Sequence, residues 1–187
     1  MYKRQILVKT NGDKACYTDN VPEAFEAAQL EENNGCTLEL YRGVNRDCEI
    51  TQGSFTVLFK KTGSASAVIK VSGGNVKITG DDGCTLSKYP GSSVGYLIAV
   101  TGGTVTFDDI TINDDSISVS GGKTVINGGT YNKLSVSGGT VTINSGTFSS
   151  IDVSAEGKAL KDLLGENKAF TTCLLYTSPS PRDYAAS

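Results

Sequence analysis

The sequence predicts an all-β fold, a right-handed parallel β-helix of about six coils with a cap at each end, on three observations. One phrase recurs: IKVSGG at 69, IAVTGG at 98, ISVSGG at 117, LSVSGG at 134 and IDVSAE at 151, with CEITQG at 48 as a weaker copy. Its third positions, Ile50, Val71, Val100, Val119, Val136 and Val153, lie 21, 29, 19, 17 and 17 residues apart, which are solenoid periods. Residue classes also repeat in columns, Ile69/Ile98/Ile117/Leu134/Ile151 in one and Ser72/Thr101/Ser120/Ser137/Ser154 in another. An antiparallel meander would reverse alternate strands and destroy those columns, whereas parallel stacking keeps their phase. A left-handed β-helix would carry a stricter six-residue repeat, hence the right-handed expectation.

The elements follow in chain order. Residues 6–47 form an N-terminal cap: ILVKTNGDKACYT at 6–18 predicts a hairpin around Asn11-Gly12, and DNVPEAFEAAQLEENNG at 19–35 predicts a helix. In that helix Asn20 is placed to cap, Pro22 suits the first turn, and Val21, Ala24, Phe25 and Ala28 share one face that covers the first coil. The strand TLEL at 37–40 closes the cap.

Coils occupy 48–155. After each phrase a second strand alternates with period two, placing Phe55, Val76, Val105 and Val141 in one inward column and Val57, Ile78, Phe107, Ile126 and Ile143 in the next. Thr124 interrupts the first of these. The glycine pairs 73/74, 102/103, 121/122 and 138/139 recur on every coil, as a corner requires, whereas a phosphate cradle is needed once and opens a helix. The long interval from Val71 to Val100 predicts a projecting loop at 81–96, DDGCTLSKYPGSSVGY. Residues 156–172 form a C-terminal cap or linker, where Leu160, Leu163 and Leu164 predict a short helix stopped by Gly165.

Two stretches stand apart. CLLYTSPSPRD at 173–183 resembles a translated sequencing-library adapter, and MYKRQ at 1–5 resembles the reverse complement of the same adapter end read from a GTG start. Segments 1–5 and 173–187 are therefore set aside from the fold as adapter-derived, with few native contacts expected. The remaining chain, with its Ala-rich lead helix, TLEL strand, V-S-G-G-x-V-x-I coils and closing LLGENKAF, resembles the β-helix, pectin-lyase-like modules of large surface proteins of gut Firmicutes. That resemblance implies an exported, adhesin-like module at the cell wall or outside the cell, without established catalysis.

Composition narrows the chemistry. The chain has a net charge of −3, and the set-aside ends carry Lys3, Arg4 and Arg182 against a single acid, so the remainder is more acidic still. This disfavours nucleic acid as a partner, and no apolar run reaches membrane-spanning length. Cys16, Cys36, Cys48 and Cys84 match no zinc spacing and are expected as free thiols, with a Cys36–Cys48 disulfide as the alternative.

There is no His and no Trp, which removes Ser-His and Cys-His nucleophile systems and the commonest sugar-stacking side chain. The acid pairs Asp81/Asp82, Asp108/Asp109 and Asp114/Asp115 place adjacent carboxyls on opposite faces of a strand, so a hydrolytic pair needs two coils. Asp108, Asn127 and Asn144 fall at one offset from the repeat, which predicts a hydrogen-bonded corner ladder. No calcium-loop motif accompanies FDDITINDD at 107–115, and neither metal nor cofactor is expected.

The expectation is a non-catalytic structural or binding module touching carbohydrate or a surface protein. Its candidate ligand residues are Asp81, Asp82, Lys88, Tyr89 and Tyr96. The rival reading, by analogy of fold, is a polysaccharide lyase, glycoside hydrolase or phage tailspike fragment.

Overall fold

The computed structural model describes residues 4–18, 20–81 and 83–170; the side chains of Arg4, Tyr17, Thr18, Asp114, Asp115 and Ser116 lie outside that description. Segment 173–187 falls wholly beyond it.

The chain opens with strands β1 (Arg4–Val8) and β2 (Lys14–Thr18), paired antiparallel with Val8 opposite Lys14. Gly12, at φ +88°, turns the connection between them. Helix α1 (Val21–Ala28) follows, with Pro22 in its first turn and Val21, Ala24, Phe25 and Ala28 all buried. Helix α1 is shorter than the sequence suggests. Gln29 ends it and only a single 3-10 turn, Glu31–Asn33, continues, because Gln29 turns its side chain to other partners. Asn20 does not cap α1 through its side chain; its amide donates to Glu23 Oε2 at 3.0 Å.

The coils then wind. The first holds β3 (Thr37–Leu40) and β4 (Cys48–Ile50), the second β5 (Ser54–Phe59), β6 (Gly63–Ala65) and β7 (Ile69–Val71). The third holds β8 (Asn75–Gly80), β9 (Thr85–Lys88) and β10 (Ile98–Val100). In the last three coils two strands suffice: β11 (Thr104–Asp108) and β12 (Thr111–Val119), β13 (Lys123–Ile126) and β14 (Thr130–Val136), then β15 (Thr140–Ile143) and β16 (Thr147–Val153).

Stacking is parallel and in register. One sheet runs β3-β5-β8-β11-β13-β15, with β1 and β2 added antiparallel on its first edge. The other runs β4-β7-β10-β12-β14-β16 and aligns Ile69, Ile98, Ile117, Leu134 and Ile151. A short third strip pairs β6 with β9 and β9 with Thr111–Asn113 of β12. The chain thus forms a β-solenoid of about six turns, and the parallel ladder already starts at β3, within segment 6–47.

Every second side chain enters the core. Val71, Val100, Val119 and Val136 are buried, as are Val57, Ile78, Phe107, Ile126 and Ile143. Ile151 and Val153, on the last rung, pack against this core but are only partly covered. Thr124 enters the Val76/Val105/Val141 column, fully buried, and its Oγ1 has no hydrogen-bond partner.

The corners explain the glycines. Gly121 lies so close to the preceding coil that a Cβ there would meet the Thr101 carbonyl oxygen at 2.2 Å. Gly122 has φ +66°, in the left-handed region. The next coil repeats both conditions at Gly138 and Gly139. Backbone stacks directly on backbone at this corner, with no room for a side chain.

Each end of the stack lacks a neighbouring rung, and side chains substitute for it. Inside the stack, Thr101 N donates to Val71 O at 2.8 Å and Ser120 N to Val100 O at 2.9 Å. The equivalent donor on β4's coil is Thr51 N, which finds Gln29 Oε1 at 2.8 Å. Gln29 Nε2 in turn donates to Glu49 O at 2.9 Å and Phe25 O at 3.1 Å. Asn34 Oδ1 accepts from Ser54 N at 2.9 Å, and Gln5 Oε1 from Tyr41 N at 3.1 Å.

That last contact corrects the expectation for segment 1–5. Gln5 is fully buried and β1 begins at Arg4: the β1–β3 ladder pairs Ile6–Val8 with Thr37–Glu39, and the Gln5 side chain serves Tyr41 N just past the end of β3.

At the far end the expected helix is one 3-10 turn, Leu160–Leu163, with Leu163 buried and Leu160 packed at its margin. Leu164 lies beyond the turn, where Gly165 N donates to Ile143 O at 2.9 Å and closes the β15 edge. The Lys158 ammonium hydrogen-bonds the Gly139 carbonyl at the last glycine corner.

Candidate functional site

Outward residues on a parallel stack sit one rung apart, about 4.8 Å, so polar side chains meet in ladders along the solenoid axis. Among the described residues three such ladders stand out, besides the coil-to-coil pairs Lys60–Asp81 and Lys133–Asp152. On the second sheet the Lys70 ammonium reaches Glu49 at 2.9 Å, and Ser72 Oγ donates to the same carboxylate at 3.1 Å. These hydrogen bonds, Lys70 first, hold the Glu49 carboxyl below its usual range.

On the first sheet the expected corner ladder forms. Asn144 Nδ2 donates to Asn127 Oδ1 at 2.9 Å, Asn127 Nδ2 to Asp108 Oδ1 at 2.8 Å, and Lys77 Nζ pairs with Asp108 Oδ2 at 2.6 Å. Partial burial pushes the Asp108 carboxyl up. The hydrogen bonds from Lys77 and Asn127, with the Lys77 charge, outweigh it and hold the group low. Asp108 is therefore a member of a saturated structural ladder. The third ladder is the hydroxyl column, in which Thr101 Oγ1 and Ser137 Oγ donate back to Val71 O and Val119 O at 3.3 and 3.5 Å.

Neighbouring Asp109 occupies positive φ (+43°), the region Asp tolerates better than most residues. Its Oδ1 lies so close over Gly128 that a Cβ there would meet it at 2.1 Å. Below, the Tyr131 hydroxyl donates to Gly128 O at 2.7 Å, and its ring stacks on Phe148 with centroids 5.1 Å apart. Burial, followed by Asp109 and Asp108, pushes the Tyr131 phenol far up. Among the described residues no group of three His, Cys, Asp or Glu side chains is arranged to hold a metal ion. Asp114 and Asp115 lie outside the described side chains.

Segment 81–96 differs from the single projecting loop the sequence suggests. Thr85–Lys88 is strand β9, pairing with β6 and β12, because Leu86 fills an inward position and is buried. The projection shortens to 89–96. Tyr89 N ties its start to Ala65 O at 2.8 Å, and Pro90-Gly91 makes a tight turn closed by Ser92 N to Tyr89 O at 3.0 Å, with Gly91 at φ +85°. Val94 is partly buried against the core, and Leu97 re-enters it.

The candidate ligand residues therefore divide. Asp81 is drawn to the Lys60 ammonium at 2.6 Å, beside the pair formed by Tyr41 and Glu39 at 2.9 Å. Asp81 raises the Lys60 ammonium in return. Lys88 Nζ donates to Val94 O at 2.6 Å, bracing the loop from below. Asp82 lies outside the described residues. Tyr89 and Tyr96 are open to solvent, at 58% and 40% exposure, with Leu30 and Phe170 the other large hydrophobic side chains so presented among the described residues.

Sequence reasoning missed the Lys60–Asp81 and Lys77–Asp108 pairs. Both partners are surface charges whose meeting depends on coil length, which a period alone does not fix.

Cys16, Cys36, Cys48 and Cys84 are free thiols, so the Cys36–Cys48 disulfide is not formed. Burial pushes the Cys36 thiol up to about 11, the Cys48 thiol to about 12, and the Cys84 thiol up as well. Among the described residues no helix is long and apolar enough to cross a membrane. Comparison of the chain with protein-family models, with curated proteins and with solved structures found no match to any of them.

Proposed function

We propose that this chain is a non-catalytic binding module of a bacterial surface or secreted protein, one that contacts glycan through the loop at 89–96. The observation that carries the reading is the contrast between the saturated ladders and the two exposed phenols. Glu49, Asp108, Asn127 and Asn144 are held by neighbours on adjacent coils, while Tyr89 and Tyr96 stand uncovered on a braced loop. A tyrosine ring packs on the apolar face of a sugar while its hydroxyl hydrogen-bonds, and neither contact requires chemistry. The surface location rests on the resemblance of the repeats to adhesin-like modules.

The alternative, a polysaccharide-cleaving enzyme, draws its support from fold analogy and from the acid pairs alone. Both readings meet in one experiment. The protein is incubated with pectins and with other acidic and neutral glycans, with and without calcium, while reducing ends, unsaturated products and binding are followed. The expected result is saturable binding without turnover, lost in the Tyr89→Ala/Tyr96→Ala double variant. Turnover abolished by changing Asp81, Asp108 or Asp109 would replace the binding reading with the enzymatic one.

A further inference from the structure

We infer that the ligand of the 89–96 loop is a neutral glycan, and that Lys88 positions the loop instead of recognising charge. The inference rests on the glycan-binding reading above and adds the chemical class of the sugar.

The described charge of segment 81–96 is committed to the protein itself. Within 81–96 the described charged side chains are Asp81 and Lys88. Asp81 is paired with Lys60 at 2.6 Å, so a carboxylate ligand there meets a cation already neutralised. Lys88 is half-buried and its ammonium donates to Val94 O at 2.6 Å, across the six residues that form the projection's body. Turning Lys88 outward toward an acidic sugar would break that bond and leave the Val94 carbonyl without its donor, a penalty a ligand must first overcome.

The same bond prepares the loop. It draws residue 94 back to the end of β9, so that Tyr89 and Tyr96 flank a closed loop, one just beyond Lys88 and the other two residues beyond Val94. The Pro90-Gly91 turn and the Tyr89 N to Ala65 O bond fix its start. A loop held in this way loses little conformational freedom on binding, which favours affinity from ring contact alone. What it offers outward is two phenols together with the exposed Ser93, all uncharged. Hydroxyl-rich neutral sugars match that surface; uronates and sialylated chains find no counter-charge within 89–96.

Calorimetry of the full chain with xyloglucan and mixed-linkage β-glucan as neutral probes, and with polygalacturonate as the acidic one, tests this at about 0.05 M and about 0.5 M NaCl, since salt screens exposed charges. The inference expects neutral-glycan binding unchanged by salt and no polygalacturonate binding. In Lys88→Met, neutral-glycan affinity should fall about threefold to tenfold, the loss of one hydrogen bond, with faster amide exchange at 89–96 and salt dependence still flat. Polygalacturonate binding that weakens with salt and vanishes in Lys88→Met would overturn the neutral assignment while leaving glycan binding intact. Failure to bind any of the three would overturn the glycan reading and the inference together.

Discussion

At the scale of single residues, the fold is governed by what a position on one coil meets on the next. Val119 lies between Val100 and Val136, all buried, so Val119→Asp places an unpartnered carboxylate between apolar rungs. Chemical denaturation should show a loss of several kcal/mol, whereas Ser118→Asp, one residue away and facing outward, should cost less than about 0.5 kcal/mol. Gly121→Ala should be comparably severe, about 3 kcal/mol or more, because its Cβ would overlap the Thr101 carbonyl and backbone has to move. Thr124 has the opposite sign. Its buried hydroxyl lacks a partner, and Thr124→Val completes the valine column at nearly constant shape, so the denaturation midpoint should rise, by about 1 kcal/mol in stability. The cysteines give an independent check on burial: iodoacetamide on the native protein followed by peptide mapping should modify exposed Cys16 well before Cys36, Cys48 and Cys84.

At the scale of elements, sequence and structure part where an element's fate depends on its neighbours along the axis. The inward columns and glycine corners were legible, since each coil repeats the same local demand and the period exposes it. So was the Asp108/Asn127/Asn144 ladder, from a shared offset. The end of α1 was not. Gln, Leu and Glu are good helix formers, but Gln29 is needed to satisfy Thr51 N and Glu49 O on a rung that has no predecessor. Gln29→Ala should therefore destabilise by about 2 to 3 kcal/mol, more than an exposed helix-end substitution, because three backbone groups, Thr51 N, Glu49 O and Phe25 O, lose a hydrogen-bond partner. Strand β9 was hidden inside a long interval for a related reason: four residues of ordinary composition become a strand only because β6 and β12 present edges to them. The corner ladder also carries a pH dependence. Lys77 and Asn127 hold Asp108 below the ordinary 3.8, so its contribution is present at neutral pH and is lost as pH falls below 3.8 through its folded value. Thermal melts taken down that range should fall more steeply for the native sequence than for Asp108→Asn, which is uncharged throughout.

At the scale of the whole molecule, the protein is a stack whose inner faces and outer ladders are repetitive and whose variation lies in the caps, a register shift in β12 and a braced loop. The candidate site was legible only in outline. Tyr89 and Tyr96 stand open as the composition of 81–96 suggested, but the sequence did not show that Asp81 and Lys88 are engaged within the protein, because coil geometry brings the Lys60 ammonium to Asp81 and the loop's own turn brings the Val94 carbonyl to Lys88. Everything proposed for the loop depends on coils stacked parallel and in register, so axial distance must track the number of rungs and not the number of residues between them. Electron-electron resonance on spin-label pairs along the outward column Glu49, Lys70, Ser118, Ser135 and Asp152 measures this directly, with Cys16 and Cys173 replaced by Ser so that only the engineered sites are labelled. Parallel stacking in register predicts backbone separations of about 19 Å for Lys70 to Asp152 and about 24 Å for Glu49 to Asp152, one step of about 4.8 Å per rung even across the 29-residue second interval. Separations that scale with residue number, or that fail to rise steadily from rung to rung, would contradict it.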